Sequence, residues 1–317
     1  MANTTFRSDN YLRFRGFVPA AISGFFSPVI SDSYFTTGAK GGGVTIDRGV
    51  WVDVIVRENS GLEVLTFLNG KLILNSIAEY VVKHILRDDA NYKIVIRFNT
   101  EVPVSSGYGT SAASAYAAAM AINHLFKLNL PFEYLMFIAH KADIVFKTGL
   151  GSVCGYVSPG FVLIEKAGAP HLAKIINLDY DDDIVVFTAW RNGIDKKRIL
   201  ANSRRLEDIA KIGDKTLNNI LSDPSLPNFF RECWEFTVKA GFATPWVKRV
   251  VSKLNNLDGV IGVAQTQIGE AIFGAVKRES LYNIERVLDR VSFGNYLIAN
   301  VYRELPLTKK LVAVEVV

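Results

Sequence analysis

The sequence predicts a mixed chain of strands and helices divided into two domains. Three observations carry that expectation. The chain has 317 residues, enough for two units of ordinary size. Its hydrophobic share of 49% and charged share of 21% are those of a globular protein rather than a disordered one. Strand-like alternation and helical spacing are interleaved up to about residue 178, after which charged helical segments take over.

The elements follow in order. Over residues 14–56, apolar runs such as GVWVDVIV alternate around glycine-rich turns and predict strands. Over residues 75–86, Ile77, Tyr80, Val81, His84 and Ile85 recur at i, i+3, i+4 spacing, which predicts a helix with Asn75 at its N-cap. YKIVIRF predicts a strand, and helices are expected over 110–126 and 132–146. A second glycine-rich turn over 147–160 leads into the strand FVLIE. The domain boundary is placed at 170–180, in KAGAPHLAKI, giving units of 1–175 and 176–317. In the second unit, DDDIVVFTAW is a buried strand opened by acids, and helical, charged segments fill most of 196–257. The segments GVIGVAQTQIGEAIFGAV and KKLVAVEVV return to strand and turn, and no internal repeat is present.

Composition removes several function classes. The net charge of +5 and pI near 9.0 come from scattered cations, and the densest run, DKKRILANSRR over 195–205, reads as a solvated face. No interleaving of aromatic and basic residues suggests a nucleic-acid surface. Cys154 and Cys233 are too few for a disulfide framework and lack CxxC spacing, so a reducing cytoplasm is the default. His84, His124, His140 and His171 show no HExxH pattern, which argues against zinc. No run reaches the roughly 20 apolar residues of a membrane span, and the N-terminus lacks a signal-peptide core. The expected setting is cytoplasmic. The expected partners are a small-molecule substrate and, in a homodimer, a second copy, with neither nucleic acid nor membrane.

The stretch PVSSGYGTSAASAYAAAMAI, from Pro103 to Ile122, carries the chemistry. GYGTSA fits the relaxed dinucleotide fingerprint GxGxxA, but polar residues separate it from the preceding strand, and the acid due about 20 residues on is missing. The Walker pattern GxxxxGK[ST] is absent. A tight loop before an Ala-rich packing helix is the plain alternative. A phosphate cradle accounts for more of the residues. A helix N-terminus offers unpaired N–H groups and partial positive charge. Gly107 and Gly109 allow close backbone approach, and Ser105, Ser106, Thr110 and Ser111 add hydroxyls, one of which could ligate Mg²⁺.

Pro103-x-x-x-Gly107-Tyr108-Gly109-Thr110-Ser111-Ala112-Ala113 resembles the phosphate-loop signature P-x-x-x-G-[LF]-G-[ST]-S-A-A of the GHMP kinases. Two further stretches are similar to the archaeal pantoate kinases within that family. FVPAAISGFFSP with GAKGGGVTIDRGV resembles their N-terminal half, and KTGLGSVCG their second glycine turn. AQTQIGEAIFGAV is a weakened copy of the third glycine-bearing motif. The resemblance implies an α+β, two-domain GHMP kinase fold, with a ribosomal S5-like N-terminal domain, a ferredoxin-like C-terminal domain and the active site in the cleft between them. It implies transfer of the ATP γ-phosphate to a hydroxyl of a small metabolite, aided by Mg²⁺. ATP would lie on Pro103, Ser105, Ser106, Gly107, Tyr108, Gly109, Thr110 and Ser111. Ser111 and Asp143 would hold the metal, and Ser23, Lys40, Arg48 and Gly149 would face the acceptor.

The chain also departs from the family. Where the pantoate kinases carry a Glu and, nine residues on, an Asp, this chain has Asp143 and Ser152. Ser152 lacks the carboxylate expected to orient or deprotonate the acceptor hydroxyl. Ala20 and Ala21 replace the Gly and His of P-G-H-I-T-G. With the ATP loop intact, a changed acceptor accounts for the loss: a carboxylate at 152 would repel an acceptor already bearing a phosphate. This points to mevalonate 3-phosphate, phosphorylated on its 5-hydroxyl in isoprenoid biosynthesis, with pantoate as the alternative. A non-catalytic nucleotide-binding protein that kept the fold is the reading of another class.

Overall fold

Two long strands organise the chain. In this computed structural model, which describes residues 11–193, 203–292, 295–304 and 312–316, β1 (Leu12–Val29) and β2 (Gly38–Glu58) pair antiparallel along almost their whole length. Their near-continuous apolar sequence fits strands covered on both faces. The register shifts between Pro19 and Ala20 and again between Ser23 and Phe25. Such bulges bend a ribbon and increase its twist. Its two halves accordingly join different neighbours.

The first half joins β5 (Tyr92–Thr100), then β3 (Glu63–Leu68) and the short edge strand β4 (Lys71–Ile73). The second half pairs with β6 (Phe161–Lys166), which in turn pairs with β7 (Lys174–Asn177). β12 (Val312–Val316) returns to pair with the start of β1, completing an eight-stranded sheet. Three helices, α1 (Ile77–Leu86), α2 (Thr110–Leu125) and α3 (Phe132–Val145), pack with this sheet. The alanine-rich α2 is buried almost throughout, which only a small-residued helix achieves between a sheet and two helices. The N-cap of α1 is Ser76 rather than the expected Asn75. Asn75 takes a left-handed φ of 49°, and the Ser76 hydroxyl accepts from the Glu79 amide at 3.0 Å and bonds Thr66 Oγ1 at 2.8 Å.

The second sheet is four-stranded. β8 (Ile184–Gly193), β9 (Val260–Gln265), β10 (Gly269–Lys277) and β11 (Tyr296–Asn300) lie in the order β11-β8-β10-β9, antiparallel throughout. α4 (Ser203–Ser222), α5 (Leu226–Lys239) and α6 (Pro245–Leu254) connect β8 to β9, and α7 (Leu281–Ser292) connects β10 to β11. That order and connectivity are ferredoxin-like. Trp246, Val250 and Leu254 of α6 meet Ile284 and Leu288 of α7 in a core on Phe187 and Ile272. α4 and α5 share a second core with the long hairpin, in which Phe229, Phe230 and Phe236 pack with Phe25, Phe161 and Phe273.

β7 spans the expected boundary at 175/176 and stays bonded to β6, whereas β8 opens the second sheet at Ile184. Residues 195–202 of the cationic run lie outside the described residues. Among the described residues no helix is long and apolar enough to cross a membrane.

Ser76→Ala removes both the α1 cap and the bond to Thr66. It is expected to cost about 1 kcal/mol, up to about 2, read as a lower midpoint in chemical denaturation with an unchanged slope.

Candidate active site

The loop between β5 and α2 is shaped by three left-handed residues within five positions: Ser105 at φ 60°, Gly107 at 89° and Gly109 at 66°. Glycine reaches such angles without a Cβ penalty. Three consecutive carbonyls of the loop are held from outside. Thr266 Oγ1 donates to Ser106 O at 2.6 Å, the Ser23 amide to Gly107 O at 3.1 Å, and the Ala21 amide to Tyr108 O at 3.1 Å. In a trans peptide the N–H points opposite to the C=O, so the amides of Gly107, Tyr108 and Gly109 face away from those donors. Gly109 is the N-cap of α2 and supplies no side-chain cap. The arrangement turns main-chain amides toward a cavity that opens on a helix N-terminus, a geometry that suits an anion.

Expected residues Ser105, Gly107, Tyr108, Gly109, Thr110 and Ser111 line one cavity here. Tyr108 contributes main chain only. Thr188 donates to Ile272 O at 2.6 Å, so the Tyr108 hydroxyl donates to Thr188 Oγ1, across in the second sheet. Burial pushes its pKa up, partly offset by that bond, so it stays a neutral brace. Pro103 and Ser106 do not line the cavity. Pro103 precedes the turn, and the buried Ser106 spends its hydroxyl on Val104 O.

Asp143 of α3 lines the same cavity with only 2% exposure. Thr148 Oγ1 donates to its Oδ1 at 2.5 Å. Gly149 lies against the carboxylate so closely that a Cβ there would stand 2.2 Å from Oδ2. The Tyr156 hydroxyl donates to Gly109 O at 3.2 Å, tying the second glycine turn to the first. Burial, and after it the nearby Asp143 charge, raises the Tyr156 pKa and keeps it protonated. Burial likewise pushes the Cys154 thiol up to about 12, leaving it inert.

Ser152 opens a 3-10 turn (Ser152–Tyr156) and lines both this cavity and a neighbouring open cleft. The cleft carries Ser23, Lys40 and Gly149, together with an apolar wall that includes Ala21, Ile22, Phe25 and Val162. Ala21 puts no imidazole or other polar side chain on that stretch of wall, and Ala20 is buried beside it. Arg48 is not brought to the cleft. The bulge opposite Pro19 and Ala20 ejects residues 47 and 48, where Arg48 pairs with its neighbour Asp47 and Asp47 accepts from Asn300.

Sequence reasoning missed several residues. Lys147 and Thr148 line the cavity of the glycine loop, and Gln267 and Ile268 of the β9–β10 turn line the cleft. The first two sit inside the KTGLGS turn already singled out. The others lie in AQTQIGE, where only folding brings them near Ser23: the Gln267 amide donates to Ser23 O at 2.7 Å.

A family model described as GHMP kinases N terminal domain matches residues 73–157. The chain is similar to the pantoate kinase of Methanocaldococcus jannaschii, 30% identical over 287 residues that cover 90% of this chain and 99% of that protein. It is similar to the pantoate kinase of Thermococcus kodakarensis, 26% identical over 299 residues covering 92% and 97%. A solved structure described as a phosphotransferase related to CoA biosynthesis pathway shares the fold, with a TM-score of 0.80 at 24% identity over 92% of this chain and 97% of that one.

Two glycine variants separate the halves of the site. Gly109→Val places a branched residue at a left-handed angle 3.1 Å from Ala21 O, and ATP affinity by calorimetry is expected to fall roughly tenfold or more. Gly149→Ala displaces the Asp143 carboxylate, and turnover is expected to fall roughly tenfold or more.

Proposed function

The chain belongs to the GHMP kinase family, in its pantoate kinase-like branch, and on that premise we propose that it transfers the γ-phosphate of ATP to the primary hydroxyl of pantoate. Its class follows from the family: an ATP-dependent phosphotransferase with an alcohol group as acceptor. The acceptor and the residue roles are this reading's own.

The observation that carries it is the charge and shape of the cleft. Pantoate has one carboxylate, two hydroxyls and a carbon bearing two methyl groups. The cleft combines an apolar wall with Ser23 and, among the described residues, one lining cation, Lys40, itself paired with Asp214 at 2.5 Å. That balance suits a monoanion. Mevalonate 3-phosphate, expected from the sequence, would bring a carboxylate and a phosphate to the same lysine. The relatives matched over nearly the whole chain are pantoate kinases, and the mevalonate reading gives way to pantoate. The reaction would then belong to coenzyme A biosynthesis.

The phosphate loop and the N-terminus of α2 would hold the β- and γ-phosphates, with Lys147 lining the same space. Asp143 and the Ser111 hydroxyl suit Mg²⁺, a hard cation that binds through one or two carboxylates and keeps several waters. When bound, Mg²⁺ neutralises charge on the transferring phosphoryl group. As the bond between the γ-phosphorus and the bridging oxygen breaks, the acceptor oxygen bonds to phosphorus and its proton leaves to phosphate or solvent. Phosphoryl transfer depends mainly on positioning and electrostatics. Ser152, placed between the two cavities, can orient the acceptor hydroxyl without a carboxylate.

Coupled ADP release should show pantoate turned over and mevalonate 3-phosphate not. Turnover of mevalonate 3-phosphate with none of pantoate overturns the reading. Ser152→Asp restores the family's carboxylate, and with pantoate it should leave turnover unchanged or raise it. With a phosphorylated acceptor it should lower turnover, since like charges about 4 Å apart repel by roughly 4 kcal/mol before screening.

A further inference from the structure

We infer that Asp214, on α4 of the second unit, is a positioning residue for the acceptor: it fixes the Lys40 ammonium at the cleft and offsets its charge, so that the site takes a singly charged hydroxy acid. This rests on reading the cleft as the acceptor site.

The geometry joins three side chains. Ser27 and Lys40 are cross-strand partners in the β1–β2 ladder. Both reach Asp214 Oδ1: the Ser27 hydroxyl donates to it at 2.6 Å, and Lys40 Nζ lies 2.5 Å away. Ser27 is 1% exposed and also contacts Ala210 O, one turn earlier on α4. The buried hydroxyl thereby pins the carboxylate.

The residue before Asp214 makes the approach possible. A Cβ at Gly213 would stand 2.4 Å from Phe26 O and 2.9 Å from Ser27 Cβ, so α4 can press on β1 only because Gly213 lacks one. The helix thus brings a carboxylate from one unit to a lysine lining the cleft of the other.

Electrostatics give the pair its consequence. An ammonium has three donors. Asp214 takes one direction and leaves the others for the acceptor's carboxylate. The Lys40–Asp214 pair has no net charge, so a monoanion gains directed hydrogen bonds while a more highly charged acceptor meets the Asp214 carboxylate behind the lysine. A lysine is otherwise a flexible point charge. Anchoring removes part of the ordering cost of binding.

A double-mutant cycle on the full-length enzyme tests the inference. Lys40→Met should raise the acceptor KM roughly tenfold or more. Asp214→Ala should raise it roughly fivefold, as for a half-exposed pair. The double variant should be no worse than Lys40→Met alone, because Asp214 acts only through Lys40. The KM for ATP should stay within about twofold in Asp214→Ala, which a general loosening of α4 would not allow. If Asp214→Ala does not fold, Asp214→Asn keeps an oxygen for Ser27 and Lys40 and should shift the acceptor KM in the same direction. Additive effects, a lowered acceptor KM on losing the carboxylate, or equal shifts for ATP and acceptor overturn it. Failure of the unmodified enzyme on pantoate sinks the proposed function alone. The cycle is then read on whichever hydroxy acid of the panel is turned over.

Discussion

The site depends on one constraint: the carbonyls of Ser106, Gly107 and Tyr108 are held by donors outside the loop. Fixing those oxygens fixes the opposite edge of each peptide plane, so the amides are presented to the cavity before any ligand arrives. Preorganised dipoles of this kind need no reorganisation when charge arrives. Two of the donors come from β1 and the third, Thr266, from the turn after β9. The cradle therefore exists only when the second sheet is docked against the hairpin.

Docking in turn depends on small residues at the contact. A Cβ at Gly269 would meet Ser106 Cα at 2.7 Å, and one at Gly107 would meet Thr266 Cβ at 2.8 Å. The same holds where α4 presses on β1. The large aromatic side chains of the shared core supply burial and lock the units in register, with Phe161 packed edge-on to both Phe229 and Phe230. Glycines set the closest distances and the aromatics fill the space around them.

This division explains what could be read from the sequence. The glycine loop before α2 was legible because left-handed turns and close approach require glycine, and the Ala-rich helix needed no partner to identify it. Asp143, Ser152 and Gly149 were legible through resemblance, and they do converge on two adjoining cavities. Arg48 misled because cross-strand register is not written in one strand's own sequence: Asp47 and Arg48, slipped out of register by the bulge, carry their side chains away. Ser106 misled because its hydroxyl is satisfied locally. Strand β3, the edge strand β4 and the pair α7 and β11 are short or mixed in polarity, and tertiary pairing decides them. The acceptor inferred from Ser152 finds no support among the relatives, which are pantoate kinases, and the charge argument behind it was incomplete. One lost carboxylate is a poor measure of a cleft's charge when Asp214, distant in sequence, sits behind the lysine.

The return of β12 to the first sheet has a consequence for dissecting the protein. The register pairs Leu12 with Val316 and Arg13 with Glu315, so the start of β1 is covered by the far end of the chain. A fragment ending near residue 178 would contain the glycine loop and Asp143 but leave that flank bare. Exposed main-chain donors and acceptors beside Leu12 and Phe14 are a template for another strand. Such a fragment would be prone to self-association and would also lack Thr266. The order of elements along the chain therefore makes the second unit an insertion within the first, and removing it costs solubility as well as chemistry.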